Sequence, residues 1–287
     1  MQEKITRLIK LFISVGFFIA AWIFNIVFKV LVVKRQKSCS VLVYHSIWGD
    51  ERLLFAQQMD TLLKIASPID VSKLEKEYTQ GTPVLVTFDD GFRSFRENAL
   101  PELEKRKIPV VLFIPSQCLG ERPRFTNNYN TKAKEIVMRP EELLSLPHDL
   151  VTIGSHCQTH PHLPLLDKDI AKNEIADSRR DLETLLDRPI TLLAFPYGEY
   201  NDQILEWSRQ AGYKKVFSTL PDRNKNDDFL WGRIDTSPHD WTIEFKLKIV
   251  GAYRWLPWAV SLKRKVKKLF PYQRTETLLD DYKNKKL

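Results

Sequence analysis

The chain has 287 residues, a formal net charge of +8 and three cysteines, Cys39, Cys118 and Cys157. The length suits one barrel-sized α/β domain with attachments, and three cysteines without framework spacing give no sign of a disulfide scaffold. Residues 1–37 carry a net +6 and residues 246–274 a net +9, which leaves −7 for the rest; basic ends on an acidic body argue against nucleic acid, whose binders concentrate positive charge on the folded domain.

In chain order, residues 11–28 are apolar except for Ser14 and Asn25, long enough to span a bilayer with some tilt. No small-x-small site follows, which favours a retained anchor within residues 1–37 over a cleaved signal peptide. Lys4, Arg7 and Lys10 precede this run, and Lys29, Lys34, Arg35 and Lys37 follow it. The positive-inside margin toward a cytoplasmic domain is therefore one residue, and the side stays open. Residues 40–45 read as a strand, 53–64 as a helix, 84–89 as a buried strand, 94–107 as a helix and 110–115 as a strand. Residues 117–138 are turn-rich and polar, an insertion or lid. Residues 139–146 read as a helix with Pro140 in its first turn, 151–155 as a strand, 169–186 as an amphipathic helix, 192–195 as a strand, 202–211 as a helix and 215–219 as a strand. Residues 229–234 supply a last strand. Strands alternating with helices imply a parallel sheet with the helices outside.

Three strand ends carry the chemistry. The run Val84-Leu85-Val86 ends in Thr87-Phe88-Asp89-Asp90-Gly91. Adjacent carboxylates closed by glycine read either as a capped turn or as a working pair, in which like charge raises one pKa and the other group stays ionised as a metal ligand. The next strand end is Gly154-Ser155-His156-Cys157-Gln158-Thr159-His160. Four residues apart, His156 and His160 can point both imidazoles at one place, and with a carboxylate they make a three-ligand metal site with open positions. The zinc-protease pattern needs Glu after its first histidine, and Cys157 stands there instead. The third is Ala194-Phe195-Pro196-Tyr197-Gly198-Glu199-Tyr200, a glycine turn able to aim backbone N–H groups at a developing oxyanion.

In this order the three motifs resemble the NodB-type polysaccharide deacetylases, carbohydrate esterase family 4, over residues 38–240. The Tyr44-His45 strand end and the Phe-Pro-Tyr-Gly-Glu-Tyr wording are closer to the exopolysaccharide branch than to the peptidoglycan branch. The resemblance implies a distorted (β/α)7 barrel, a fold whose catalytic groups gather at the C-terminal strand ends. It also implies metal-assisted amide hydrolysis: Asp90, His156 and His160 hold a divalent cation, expected to be Zn2+, Asp89 is the base, and the Tyr197 backbone N–H faces the oxyanion. Spacing alone does not say which aspartate is the base and which the ligand. Three departures stand out. Cys157 occupies a position usually held by Ser or Thr. Ala194 stands nearest to where many members carry an Arg against the base. The late Leu-x-His that supplies a general acid is absent, which leaves His45 and His239 as the candidate acids. His148 and His162 read as surface residues.

The implied substrate is an N-acetylated amino sugar, in a polymer or a lipid-linked precursor. The N-terminal segment favours one held at the bilayer. Residues 241–287 read as a basic, aromatic extension whose 246–274 stretch has the composition of an interfacial membrane helix. Trp48, Trp231 and Trp241 are candidate sugar-stacking residues. Two rivals share these residues: a deformylase of a lipid-linked formamido sugar, and a membrane-tethered glycan-binding protein whose catalysis has decayed. No protein partner is evident in the sequence.

Overall fold

A computed structural model of the chain describes residues 2–29, 39–74, 78, 81–123, 125, 135–219 and 229–259, with the side chains of residues 2–3 and 21–29 outside the description. The elements run α1 (Gln2–Lys29), β1 (Ser40–Tyr44), α2 (Arg52–Ile65), β2 (Ser67–Pro68), β3 (Pro83–Phe88), α3 (Leu100–Arg106), β4 (Val110–Ile114), α4 (Pro140–Leu144), β5 (Val151–Ser155), α5 (Lys168–Leu186), β6 (Leu192–Ala194), α6 (Asp202–Gln210), β7 (Lys215–Ser218), β8 (Leu230–Gly232), β9 (Ile234–Asp235) and α7 (Thr242–Ile249). Each strand expected from an apolar run forms within a residue or two. Residues 124 and 126–134 of the expected lid at 117–138 lie outside the described residues.

The strands pair in parallel in the order β8-β7-β6-β5-β4-β3-β1-β9, with β2 beside β3. Strands β8 and β9 lie at opposite ends of that order, yet only Arg233 separates them in sequence. A single residue spans only about 3.5 Å, so the two sheet edges must meet at Arg233. The sheet therefore curls into a nearly closed barrel. Counting β8 and β9 as one broken strand leaves seven staves, β2 apart, which matches the expected (β/α)7 architecture. The expected single last strand is thus split, and the break falls where the chain passes from one edge to the other.

Side-chain alternation along the strands builds two cores. Val41, Leu85, Val111, Phe113, Leu192, Ala194, Phe217 and Trp231 form the inner one. Leu42, Tyr44, Val86, Phe88, Leu112 and Ile114 pack outward against the helices, including Phe55 and Met59 of α2 and Ile175 of α5. Trp231 is 2% exposed within the inner core, so this candidate sugar platform is a structural residue.

Two expectations about the chain ends change. Helix α7 and the turn after it belong to the barrel: Phe245, Leu247, Ile249 and Tyr253 are buried, and Lys248 bonds Asp240 at 2.6 Å. The start of the 246–274 stretch is thus core rather than membrane-facing, and residues 260–274 lie outside the described residues. At the N-terminus, α1 packs along α7 through an Arg7–Glu244 ion pair at 2.8 Å. Among the described residues no helix is long and apolar enough to cross a membrane; the second half of the expected span at 11–28 lies among side chains outside the description.

Candidate active site

Alternation also delivers the polar groups to the barrel mouth. Leu85 points inward on β3; Thr87 and Asp89 continue that face. Trp231 points inward on β8, and Arg233 is the next inward position. The Asp89 carboxylate and the Arg233 guanidinium meet in a two-pronged pair, Nη1 to Oδ1 at 2.6 Å and Nη2 to Oδ2 at 2.7 Å. Arg233 is completely buried and Asp89 is 3% exposed. The guanidinium also bonds the Ser218 carbonyl and lies over the Phe113 ring. Burial alone would push the Asp89 carboxyl up; the charge and hydrogen bonds of Arg233 more than reverse this and bring it to about 2. Asp89 is therefore an anion at neutral pH, with its orientation fixed.

Asp90 takes the opposite course. It adopts a left-handed backbone, φ 70°. Burial raises its pKa to about 7, and the negative charge of Asp89 adds to the rise. Its Oδ1 is buried without a hydrogen-bond partner, 3.4 Å from His160 Nε2 and 3.7 Å from His156 Nε2. The His156 Nδ1–H donates to the Ala194 carbonyl at 2.7 Å, which turns the Nε2 lone pair toward Asp90. Burial lowers His156 to about 4 and His160 to about 2, so both rings are neutral at physiological pH. One carboxylate oxygen and two imidazole nitrogens thus converge within 4.8 Å of one another, all buried. A stranded carboxylate oxygen facing two neutral nitrogen lone pairs suits a borderline-soft divalent cation.

A proton on Asp90 competes with a cation for the same oxygen. Cation affinity is expected to fall about tenfold per pH unit below about 7 and to level off above it. The same shift affects stability without metal. The folded-state pKa of Asp90 is raised, so the folded state holds a proton that the unfolded state has lost between about pH 4 and pH 7. Stability of the metal-free protein therefore falls as pH rises through that window, and bound metal removes the fall. Chelator competition and thermal unfolding across the range check both parts.

The loop bearing His160 is held from outside. Glu174 of α5 accepts the Gln158 and Thr159 backbone N–H groups at 2.9 and 3.0 Å and the Thr159 hydroxyl at 2.7 Å. Cys157 and His160 both have positive φ, 63° and 61°, a conformation that costs non-glycine residues energy and persists only where surrounding bonds enforce it. The Cys157 thiol is fully buried and pushed up by burial, so it packs against the core rather than facing the ligands. Replacing Glu174 with Ala is expected to weaken cation binding about 10- to 100-fold, with Glu174→Gln in between; calorimetric titration with Zn2+ or Co2+ measures it.

Tyr197, also at positive φ (58°), edges onto His160 at 4.6 Å and stacks on His162 at 3.8 Å. The turn needs Gly198: its φ is +67°, and an added Cβ would sit 2.6 Å from the Thr219 backbone nitrogen. His162 is half-exposed as expected, yet it is tied to this wall by Glu199 at 2.8 Å. His148 bonds Arg188. The two candidate acids separate. His45, exposed at the end of β1, lies close enough for its charge to act on Asp89, Asp90, His156 and His160. His239 instead bonds Glu51 at 3.1 Å, at the start of α2, and its carbonyl accepts from Arg7. Trp48 is half-buried, and Trp241 lies under the Arg7 guanidinium.

The family model described as polysaccharide deacetylase matches residues 76–216, the stretch that holds Asp89, Asp90, His156, His160 and Tyr197. The chain carries a NodB-type polysaccharide deacetylase domain. Among solved structures, the domain is similar to IcaB from Ammonifex degensii, with a TM-score of 0.64 and 24% identity over 75% of this chain and 98% of that one. It is also similar to the Streptococcus pyogenes deacetylase PplD in complex with acetate, with a TM-score of 0.63 and 18% identity over 75% and 99%. By sequence it is 25% identical, over 54% of this chain and 52% of the relative, to YxkH, a candidate polysaccharide deacetylase of Bacillus subtilis. It is 26% identical, over 46% and 42%, to the peptidoglycan-N-acetylglucosamine deacetylase of Bacillus cereus. The matches thus span about half or less of these relatives' length. Within the deacetylase domain, Arg233 is the residue that sequence reasoning missed. It lies beyond the matched stretch, and it fills from β8/β9 the role left empty at Ala194.

Proposed function

We propose that this domain hydrolyses the N-acetyl amide of amino sugars in a glycan, as a metal-dependent hydrolase of the exopolysaccharide type. The observation that carries the reading is the juxtaposition of two unlike carboxylates. Asp89, ionised and clamped by Arg233, stands beside an Asp90–His156–His160 cluster built to hold a divalent cation. A cation held by those three ligands, zinc by donor chemistry, supplies Lewis-acid chemistry: it acidifies water and polarises an amide carbonyl.

The chain's own groups do the rest. Asp89 accepts the proton of the attacking water; the Arg233 clamp keeps its lone pairs aimed at the mouth. The Tyr197 backbone N–H, on the glycine turn against His160, faces the charge that develops on the carbonyl oxygen. His45 donates the proton that the leaving amine needs. His239 is tied to Glu51 and is not assigned this role. The Tyr44-His45 strand end supports an exopolysaccharide substrate over peptidoglycan.

The test is to incubate the metal-loaded protein with partially N-acetylated poly-glucosamine and with a formamido-sugar analogue, and to identify the acid by NMR. Acetate supports the reading. Formate alone would reassign the domain as a deformylase, and no acid from either sugar would defeat the hydrolase reading.

A further inference from the structure

Helix α1 has two unlike faces. The inner face is fixed to the domain. Arg7 pairs with Glu244, bonds the His239 carbonyl and covers Trp241; the Trp255 indole N–H donates to the Ser14 hydroxyl at 2.9 Å; Leu11 and Val15 pack against the core. Among the described residues the outer face has no such partner. Ile5, Leu8, Ile9, Phe12, Ile13 and Ile19 are all exposed, Phe12 by 75%. Trp258, three residues after Trp255 in sequence, is also 70% exposed. An apolar face of this extent on a soluble surface marks an interaction site.

Charge selects the occupant. Residues 1–37 and 246–274 carry +6 and +9, while the rest of the chain carries −7. Lys4 and Lys10, both exposed on α1, are among those charges, and a second copy would bring like charge to them. An anionic bilayer offers the opposite charge and an apolar layer beneath it.

We propose that the outer face of α1 docks the domain on an anionic lipid bilayer, its apolar side chains entering the acyl boundary while the flanking lysines and arginines meet the headgroups. Because the inner face is tied to α7 and to Trp255, the domain rides on the bilayer in a set orientation rather than on a loose tether. The substrates within reach are then glycans at the membrane surface. The docking does not depend on the catalytic reading, and its test uses no substrate.

The full-length protein is floated on a density gradient with vesicles of phosphatidylcholine alone or mixed with phosphatidylglycerol, beside the variant Ile9→Glu/Phe12→Glu. The expected result is flotation with the phosphatidylglycerol vesicles, reduced about tenfold or more in the variant and on omission of the anionic lipid. Circular dichroism and thermal unfolding of the variant stay as in the parent, because both side chains point away from the domain. Equal flotation of parent and variant, indifference to phosphatidylglycerol, or a parent that stays at the bottom would each overturn the proposal. So would a dimer, seen by light scattering without lipid, that Ile9→Glu/Phe12→Glu dissociates, since that would assign the face to a second copy.

Discussion

Replacing Arg233 with leucine is expected to destabilise the fold by about 3–5 kcal/mol, the cost of leaving a buried charge without its partner. Asp89 sits at 3% exposure above Phe113, Phe217 and Trp231. Burial there works against the carboxylate, and Arg233 outweighs it. The pH dependence then has a definite sign. In the parent, the folded-state pKa of Asp89 is depressed, so its contribution is present above the unfolded carboxylate value of about 3.9 and is lost as pH falls toward about 2. In Arg233→Leu the shift reverses. The carboxyl becomes a penalty that grows as pH rises above about 4, so the variant is relatively better off in mild acid. Denaturant unfolding at two pH values measures this, and Arg233→Leu/Asp89→Leu should recover much of the lost stability without any activity. A parent-like unfolding midpoint in Arg233→Leu would show that the pair does not hold the site together.

The second large effect separates the two aspartates. Asp89→Asn is expected to lower turnover about 10²- to 10⁴-fold, the range for loss of a general base, while cation binding persists. Asp90→Asn is expected to abolish high-affinity cation binding, because it removes the only carboxylate of the Asp90–His156–His160 cluster. Activity should be lost with it. Metal content by mass spectrometry, set beside turnover, distinguishes them. The reverse pattern, in which Asp89→Asn loses the cation and Asp90→Asn keeps it, would exchange the roles.

Much of this was legible in the sequence because barrel strands are short apolar runs that end where polar chemistry begins. Asp89, Asp90, His156, His160 and Tyr197 each follow such a run, and the barrel gathers them at one rim. Arg233 was not legible. Its partner Asp89 is 144 positions away in sequence, and the clue, an inward register two residues after Trp231, appears only once the barrel closes. The start of the 246–274 stretch, in α7, departs from the membrane-facing expectation for a related reason. Lys246 and Lys248 have the composition of a membrane-facing helix, but composition does not separate a solvated lysine from one paired with Asp240 and Glu244. The strained backbone at Asp90, Cys157, His160 and Tyr197 left no sequence signal either. These residue types are ordinary, and at Cys157 and His160 the conformation is held by Glu174, which bonds the backbone between them.

Hydrolysis is expected to depend on a cation at Asp90, His156 and His160 acting with the Asp89 base. The most direct measurement is acetate release from partially N-acetylated poly-glucosamine by chelator-stripped protein, by the same protein reconstituted with Zn2+, and by reconstituted Asp89→Asn. Cation dependence predicts background release from the stripped protein, recovery on reconstitution, and background release again from Asp89→Asn despite its bound metal. Release by the stripped protein at the reconstituted rate would contradict it.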